Sequence, residues 1–374
     1  MYYLKVLSVY CASFLMRIFW VFPIKKNRIL FMSFGGKQYS DSPKYIYEAL
    51  KQKKGLDLIW GFKDDEKVGV KYVKKGGLKY YYVFCTSKII IINDSVQLFL
   101  PVRKKQILIN TWHGGGWFKK VGYTSQSVSR YDRFYFPMFV KKHTYFIASS
   151  EYFVDTVLKS SFGYKGKILR TGMPRNALFF QENQHIAAAT RKELGVKEGN
   201  MLVLYAPTFR SYDVDDKTEK IDFNLLSESI KKRFNKEVTI LYRAHHLIKE
   251  KNVDLSKVID VTKYQDMQRL LLISDVLVSD YSSCMWEGAI QNKLVVVFAP
   301  DSNQYSGNRG FFLEIEKWPF LIAYSNKEMA ERIINYDEKK YHTYLNKMLK
   351  DAKSYENSHS VDVIVELIEG AINE

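Results

Sequence analysis

The sequence predicts an α/β chain in which two Rossmann-like domains face a crevice, behind an N-terminal helix that associates with a membrane. Three observations predict it. Short apolar runs of strand length recur through both halves of the 374 residues. Segments with helical spacing separate most of them, and strands that alternate with helices form parallel sheets. The chain is also too long for one ordinary core, since domains cluster near ~100–150 residues.

Residues 1–24 are apolar and aromatic, with Lys5 and Arg17 interrupting them. No uninterrupted run reaches the ~20 residues that span a bilayer. Arg17 and the aromatic block 18–22 stand where small residues would precede a signal-peptide cleavage site, which disfavours one. The expectation is an interfacial helix within residues 1–27. Tyr2, Tyr3, Tyr10, Phe14, Phe19, Trp20 and Phe22 would sit at headgroup level, with Lys25, Lys26 and Arg28 as a basic flank.

A first domain, 28–180, reads as strands at 28–34, 56–60, 88–94, 107–112 and 144–149, with helices at 43–53 and 151–162. A second, 181–374, reads as strands at 201–207, 238–244, 258–262, 275–280 and 294–300. Its helices fall near 222–234, 265–273, 283–291, 326–350 and 358–372, and the last are free to pack back on the first domain. The boundary falls between Arg175 and Arg191, and loop 209–221 is polar.

Charge divides the same way. Residues 1–180 carry 31 Lys and Arg against 10 Asp and Glu, a net +21; the remainder carries 26 against 30, a net −4. A basic domain of that size attracts an anionic membrane, a polyanionic substrate or nucleic acid. Nucleic acid is disfavoured, because no binding motif accompanies the charge and the basic residues flank an apolar N-terminus. Apolar content of 47% excludes disorder. Three widely spaced cysteines, Cys11, Cys85 and Cys284, give no disulfide framework or zinc spacing and fit a reducing compartment. There is no G-x-G-x-x-G after a first strand and no P-loop, so no bound dinucleotide cofactor is expected. No cluster has metal-ligand spacing, so no metal is expected either.

Five strand ends gather groups suited to a phosphorylated ligand. The first is 107–122, ILINTWHGGGWFKKVG. Its strand delivers His113 to a sheet edge, Gly114, Gly115 and Gly116 let the backbone turn and approach a ligand closely, and Lys119 and Lys120 follow within reach of an anion. The second, 171–179, turns at Gly172 and Pro174 and offers Arg175 and Asn176 as donors. The third, 205–210, ends a strand in proline and then Thr208 and Arg210. The fourth, 242–246, holds Arg243, His245 and His246. The fifth, 279–289, ends a strand at Asp280, and Ser282 and Ser283 open a helix whose free N–H groups suit an anion; Glu287, one turn on, can accept from ribose hydroxyls. Taken alone, each has a structural reading as a cap, a turn or an ion pair. Five such ends across two domains favour a crevice site. His143, His185, His342 and His359 have no such surroundings.

These segments, with 37–50 and 309–312, occur in an order that resembles the CDP-glycerol glycerophosphotransferase family, which includes teichoic acid primases and polymerases. The resemblance implies a glycosyltransferase-B-like fold, with a membrane-associated acceptor domain followed by a CDP-alditol-binding domain. It implies transfer of glycerol phosphate from CDP-glycerol, as substrate rather than cofactor, to a hydroxyl of an undecaprenyl-diphosphate-linked saccharide, with release of CMP. Its catalytic histidines fall on His113 and His245. Donor binding falls on Arg243, Ser282, Ser283, Thr208, Arg210, Arg175, Asn176 and Glu287, and acceptor or anion binding on Gly114, Gly115, Lys119 and Lys120. Two departures stand out: His246 replaces a proline, so that either His245 or His246 points into the site, and Gly-Gly-Trp-Phe follows the first W-H-G. The length suggests a single-addition, primase-like enzyme, peripheral on the cytoplasmic face of the membrane, and a homo-oligomer is compatible with it. Ribitol phosphate transfer, addition to a capsule polysaccharide or growing polymer, and a sugar-nucleotide glycosyltransferase are the competing readings.

Overall fold

A computed structural model describes residues 2–64, 69–126, 128–208, 210, 218–244 and 255–374. Seven strands, β1 (Lys25–Met32), β2 (Asp57–Phe62), β3 (Tyr72–Lys74), β4 (Ser87–Ile92), β5 (Ile107–Asn110), β6 (Tyr145–Ile147) and β7 (Lys167–Leu169), form a parallel sheet in the order 3-2-1-4-5-6-7. Six more, β8 (Met201–Tyr205), β9 (Val238–Tyr242), β10 (Ile259–Asp260), β11 (Val276–Ser279), β12 (Leu294–Phe298) and β13 (Leu321–Ala323), form a second parallel sheet in the order 10-9-8-11-12-13.

The residues of β4 show why these runs are strands. Ile89 to Ile92 are all fully buried. Ile89 and Ile91 join one core cluster with Ile29 and Phe31, while Ile90 and Ile92 join another with Leu30 and Met32. Successive side chains enter opposite faces, and both faces are covered, as a parallel sheet requires.

The helices are α1 (Tyr2–Met16), α2 (Asp41–Leu50), α3 (Leu78–Thr86), α4 (Arg130–Lys141), α5 (Glu151–Phe153, running on as a π-helix over Val154–Ser161) and α6 (Gln184–Glu193). In the second half they are α7 (Phe223–Phe234), α8 (Met267–Ile273), α9 (Cys284–Ile290), α10 (Ser302–Asn308), α11 (Asn326–Ile334), α12 (Glu338–Asp351) and α13 (Ser360–Asn373). The chain crosses back at its end, where α13 packs on α2 and on the 3-10 segment Pro174–Phe180.

Differences from the sequence pattern have physical reasons. The strands β3, β7 and β13 are three residues each, too short to show a period. Helix α3 is built from LKYYYVFCT, aromatic and β-branched, and α4 carries Pro137; both compositions hide a helix. The expected 326–350 helix is two helices, because Asp337 caps α12 by accepting from Lys340 N at 3.0 Å.

The N-terminal interruptions do not break the helix. A 3-10 turn, Arg17–Val21, continues α1, so that Tyr3–Val21 is long and apolar enough, by length and composition, to cross a membrane. The helix is strapped to the body. Arg130 Nη2 donates to Tyr3 Oη at 3.0 Å, Lys5 lies 5.9 Å from the Tyr131 ring, and Tyr10 meets Phe134 edge-on. At the other end Arg103 donates to the carbonyls of Phe19 and Phe22 at 3.0 and 2.9 Å. Leu4, Leu7, Phe14, Leu15, Ile18 and Val21 remain exposed.

Candidate active site

In open parallel sheets, ligands bind beyond the carboxyl ends of the strands where the strand order reverses. Those points lie between β1 and β4 in the first sheet and between β8 and β11 in the second. The residues just past them line one crevice of about 360 Å³: Phe34, Asp41 and His113 from the first half, Thr208, Ser282 and Ser283 from the second.

His113 follows β5. Its Nδ1 lies 2.9 Å from the carbonyl of Asn93. A carbonyl only accepts, so Nδ1 carries the proton and Nε2 is left with its lone pair. The ring keeps one open side on the crevice while standing deep among protein atoms. That desolvation holds its pKa below the ordinary imidazole value; the Asn93 bond and Asp41 oppose the shift, and Arg175 and Lys119 add to it. His113 is therefore neutral at pH 7, the state a proton acceptor needs. Trp112, whose ring centroid is 4.3 Å from that of His113, carries φ +53°, a left-handed backbone that favours glycine.

The three glycines have a different cause from the one their sequence suggests. None has a positive φ. A Cβ on Gly114 would meet Ser283 Oγ at 2.7 Å, on Gly115 Trp286 Cδ1 at 2.7 Å, and on Gly116 Phe118 Cε2 at 2.8 Å. Gly114 and Gly115 thus let the His113 loop lie closely against Ser283 and the Trp286 ring of the second half. The chain then makes a bridge across the halves: Lys120 N donates to Gly310 O at 3.0 Å and Phe312 N to Phe118 O at 3.1 Å. Lys119 faces the second half, where burial and the neighbouring Arg309 and Arg210 lower its pKa to about 8. The Lys120 stem packs over Gly310.

Several expected nucleotide ligands are engaged elsewhere. Arg175 is buried, and its Nη1 donates to both Asp41 oxygens at 2.9 Å while Nη2 donates to Glu287 Oε1 at 2.6 Å. That ion triad joins three segments and holds Asp41 at φ +63°. Arg210 is likewise held by Asp280 at 2.8 Å and Asp301 at 2.6 Å. Asn176 Nδ2 donates to Glu356 at 3.0 Å. A carboxylate that is buried needs such partners, so Arg175, Arg210 and Asn176 act on the architecture of the crevice.

Other expected residues keep capacity for a ligand. Thr208 Oγ1 and Glu287 Oε2 are buried with no partner among the described residues. Ser283 makes no cap hydrogen bond, and Ser282 Oγ accepts only weakly from Cys284 N at 3.3 Å. Arg243 donates to the Tyr264 carbonyl and makes no ion pair among the described residues; burial lowers its pKa. His245 and His246 lie outside the described residues, as does most of loop 209–221. His143 is structural, held between Phe139 O at 2.8 Å and Asn110 Nδ2 at 3.1 Å. Sequence reasoning assigned no role to Asn93, Asp41, Gln38 or Arg309. The first follows a strand of four isoleucines, a signal of a sheet edge that could have found it.

Two parallel sheets whose carboxyl ends border a crevice of histidine, hydroxyl and guanidinium groups define an α/β protein with a site suited to a phosphorylated ligand. The model of the CDP-glycerol:poly(glycerophosphate) glycerophosphotransferase family matches residues 14–370, and the chain belongs to that family. It is similar to a Staphylococcus aureus teichoic acid glycerol-phosphate transferase, 30% identical over 332 residues, covering 84% of this chain and 85% of the relative. It is also similar to a Bacillus spizizenii teichoic acid poly(glycerol phosphate) polymerase, 29% identical over 333 residues, 83% of this chain and 84% of the relative. A solved structure of the wall teichoic acid polymerase TagF, a variant soaked with CDPG, superposes with a TM-score of 0.82 at 28% identity, covering 94% of this chain and 90% of that one. The chain is thus a glycerophosphotransferase of teichoic acid synthesis.

Proposed function

We propose that the protein transfers glycerol phosphate from CDP-glycerol to a hydroxyl of an undecaprenyl-diphosphate-linked saccharide, releasing CMP, as a single, primase-like addition. The observation that carries the chemistry is the tautomer of His113. A free alcohol is a poor nucleophile at neutral pH, and a neutral imidazole with its Nε2 lone pair available can take the hydroxyl proton as the new bond forms. The acceptor oxygen attacks the glycerol-bearing phosphorus in line. The P–O bond to the cytidylyl phosphate breaks, and the electron pair leaves with CMP.

Charge then grows on phosphoryl oxygens, where positioning and electrostatics dominate. Arg243, Lys119, Arg309, Ser282, Ser283 and Thr208 Oγ1 line or border the crevice and supply donors to that charge. Glu287 Oε2 suits a ribose hydroxyl. The family resemblance adds His245 as the second catalytic histidine. The two sheets and the crevice between them favour a glycosyltransferase-B-like arrangement, with the acceptor held by the first half.

Attachment is read as peripheral, at the cytoplasmic face. The exposed apolar residues of α1, the ties from Arg103 and Arg130 at its two ends, and the +21 first half favour a helix lying in the interface over one that leaves the body to cross it. Length does not separate one addition from many, because a relative of which this chain covers 84% is named a polymerase. The test is product mass. Incubation with CDP-glycerol and a synthetic lipid-linked disaccharide is expected to give one added glycerol phosphate per CMP released. A ladder of products would replace the primase reading, and transfer only from CDP-ribitol would replace the donor.

A further inference from the structure

A second polar cluster flanks His113 on the side of the first sheet, outside the groups assigned to the donor. The connection from β1 to α2 begins with three consecutive left-handed residues, Phe34, Gly35 and Gly36, at φ +47°, +64° and +86°. A Cβ on Gly36 would meet Gly61 O at 2.7 Å, so only glycine lets the loop lie this close to the end of β2. Around the loop stand three lysines from three strand ends. Lys37 follows it directly. Lys63, past β2, donates its backbone N–H to Gly36 O at 2.7 Å. Lys75, past β3, donates its ammonium to Gly35 O at 2.8 Å.

The lysines converge rather than disperse. Burial lowers the Lys75 pKa, Lys37 and Lys63 lower it further, and Asp94 opposes them. Asp94 offsets one charge of three at most, since burial raises its own pKa to about 6. The floor of the cluster holds unspent hydrogen-bonding groups: Asn93 Nδ2 and Asp94 Oδ1 are buried without a partner among the described residues. Asn93 also links the cluster to the reacting centre. Its side-chain oxygen accepts from Phe34 N at 2.7 Å, its carbonyl holds His113 Nδ1, and the Phe34 and His113 ring centroids lie 6.0 Å apart.

We propose that Lys37, Lys63 and Lys75, around the Phe34–Gly36 loop, form a subsite for a phosphate group of the acceptor, holding it while His113 addresses the acceptor hydroxyl. The inference rests on the glycerophosphotransfer reading and adds the place where the acceptor's anion binds. Three ammonium groups over buried amide and carboxyl groups suit a phosphodiester or diphosphate. The donor's phosphates have their own partners in Arg243, Lys119 and Arg309. The anion could be the lipid-linked diphosphate or the phosphodiester of a chain already carrying glycerol phosphate.

The experiment uses the full chain with Lys37→Glu and Lys63→Glu together, both exposed positions, and separately Lys75→Met. Two acceptors are compared: a short-lipid diphosphate disaccharide, and the same molecule ending in glycerol phosphate. The expected result is an acceptor KM raised about tenfold or more, the size of one or two lost charge-assisted contacts, with KM for CDP-glycerol unchanged. A rise for both acceptors assigns the subsite to the diphosphate; a rise for the second alone assigns it to the phosphodiester end. Unchanged KM for both overturns the subsite while the transfer reading stands. Absence of CMP release by the wild-type protein with either acceptor would overturn the transfer reading and the subsite with it.

Discussion

Replacing Arg175 with methionine separates the role its sequence suggests from the role its surroundings assign. The Arg175 side chain is 3% exposed, and those of Asp41 and Glu287 are 7% and 2% exposed. Methionine fills much of the volume but strands two carboxylates out of water. Breaking a buried pair by removing one partner costs about 3–5 kcal/mol. Melting entropy near ~2.1 cal/mol/K per residue gives a chain of this length a slope near ~0.8 kcal/mol/K, so the expected fall in Tm is about 4–6 °C if it unfolds as one unit. Calorimetry at pH 7.5 measures it, alongside titration with CDP-glycerol. An unchanged Tm with lost CDP-glycerol affinity would refute the reasoning and return Arg175 to the nucleotide.

Gly115→Ala places a methyl group 2.7 Å from the Trp286 ring, and a shift of backbone or indole is needed to relieve it. The expected result is a turnover loss of about tenfold or more with CDP-glycerol affinity retained, since the displaced element is the His113 loop; normal turnover would contradict the close-approach explanation. Because desolvation holds His113 below 6.5, the acid limb of the kcat/KM profile should lie below pH 6.5, and a limb above it would point to another base. Burial raises Glu356 from 4.5 to about 7 against the donors Trp286, Met173 and Asn176. The folded state therefore holds that proton more tightly than the unfolded one, so its contribution falls as pH rises from about 4.5 to 7, by at most about 3 kcal/mol. Urea unfolding at pH 5 and 7.5 should show a smaller drop for Glu356→Gln than for wild type, and equal drops would contradict the shift.

What the sequence conveyed well was periodic. Runs such as Ile89–Ile92 and Leu294–Phe298 announce buried parallel strands, and their alternation with amphipathic segments announces the two sheets. The place of His113 at a strand end followed from the same pattern. What it conveyed poorly depends on contacts between segments far apart in the chain. Arg175 looks the same in sequence whether it holds a phosphate or Asp41 and Glu287, 134 and 112 residues away. The glycines after His113 look like a ligand cradle until α9 is seen against them. Asn93 was legible only as the end of a strand, because its contact with His113 uses a backbone carbonyl, which every residue has. The lysines of the second cluster were lost in the general basic excess of residues 1–180, since only the fold brings the ends of β1, β2 and β3 together.

In the proposed mechanism, neutral His113 removes the acceptor proton in transfer from CDP-glycerol. The most direct measurement is CMP release by His113→Ala, with calorimetric titration of CDP-glycerol on the same preparation. Turnover reduced by about 100-fold or more is expected, the usual weight of a general base, with CDP-glycerol affinity close to wild type. Near-normal CMP release coupled to product would contradict it.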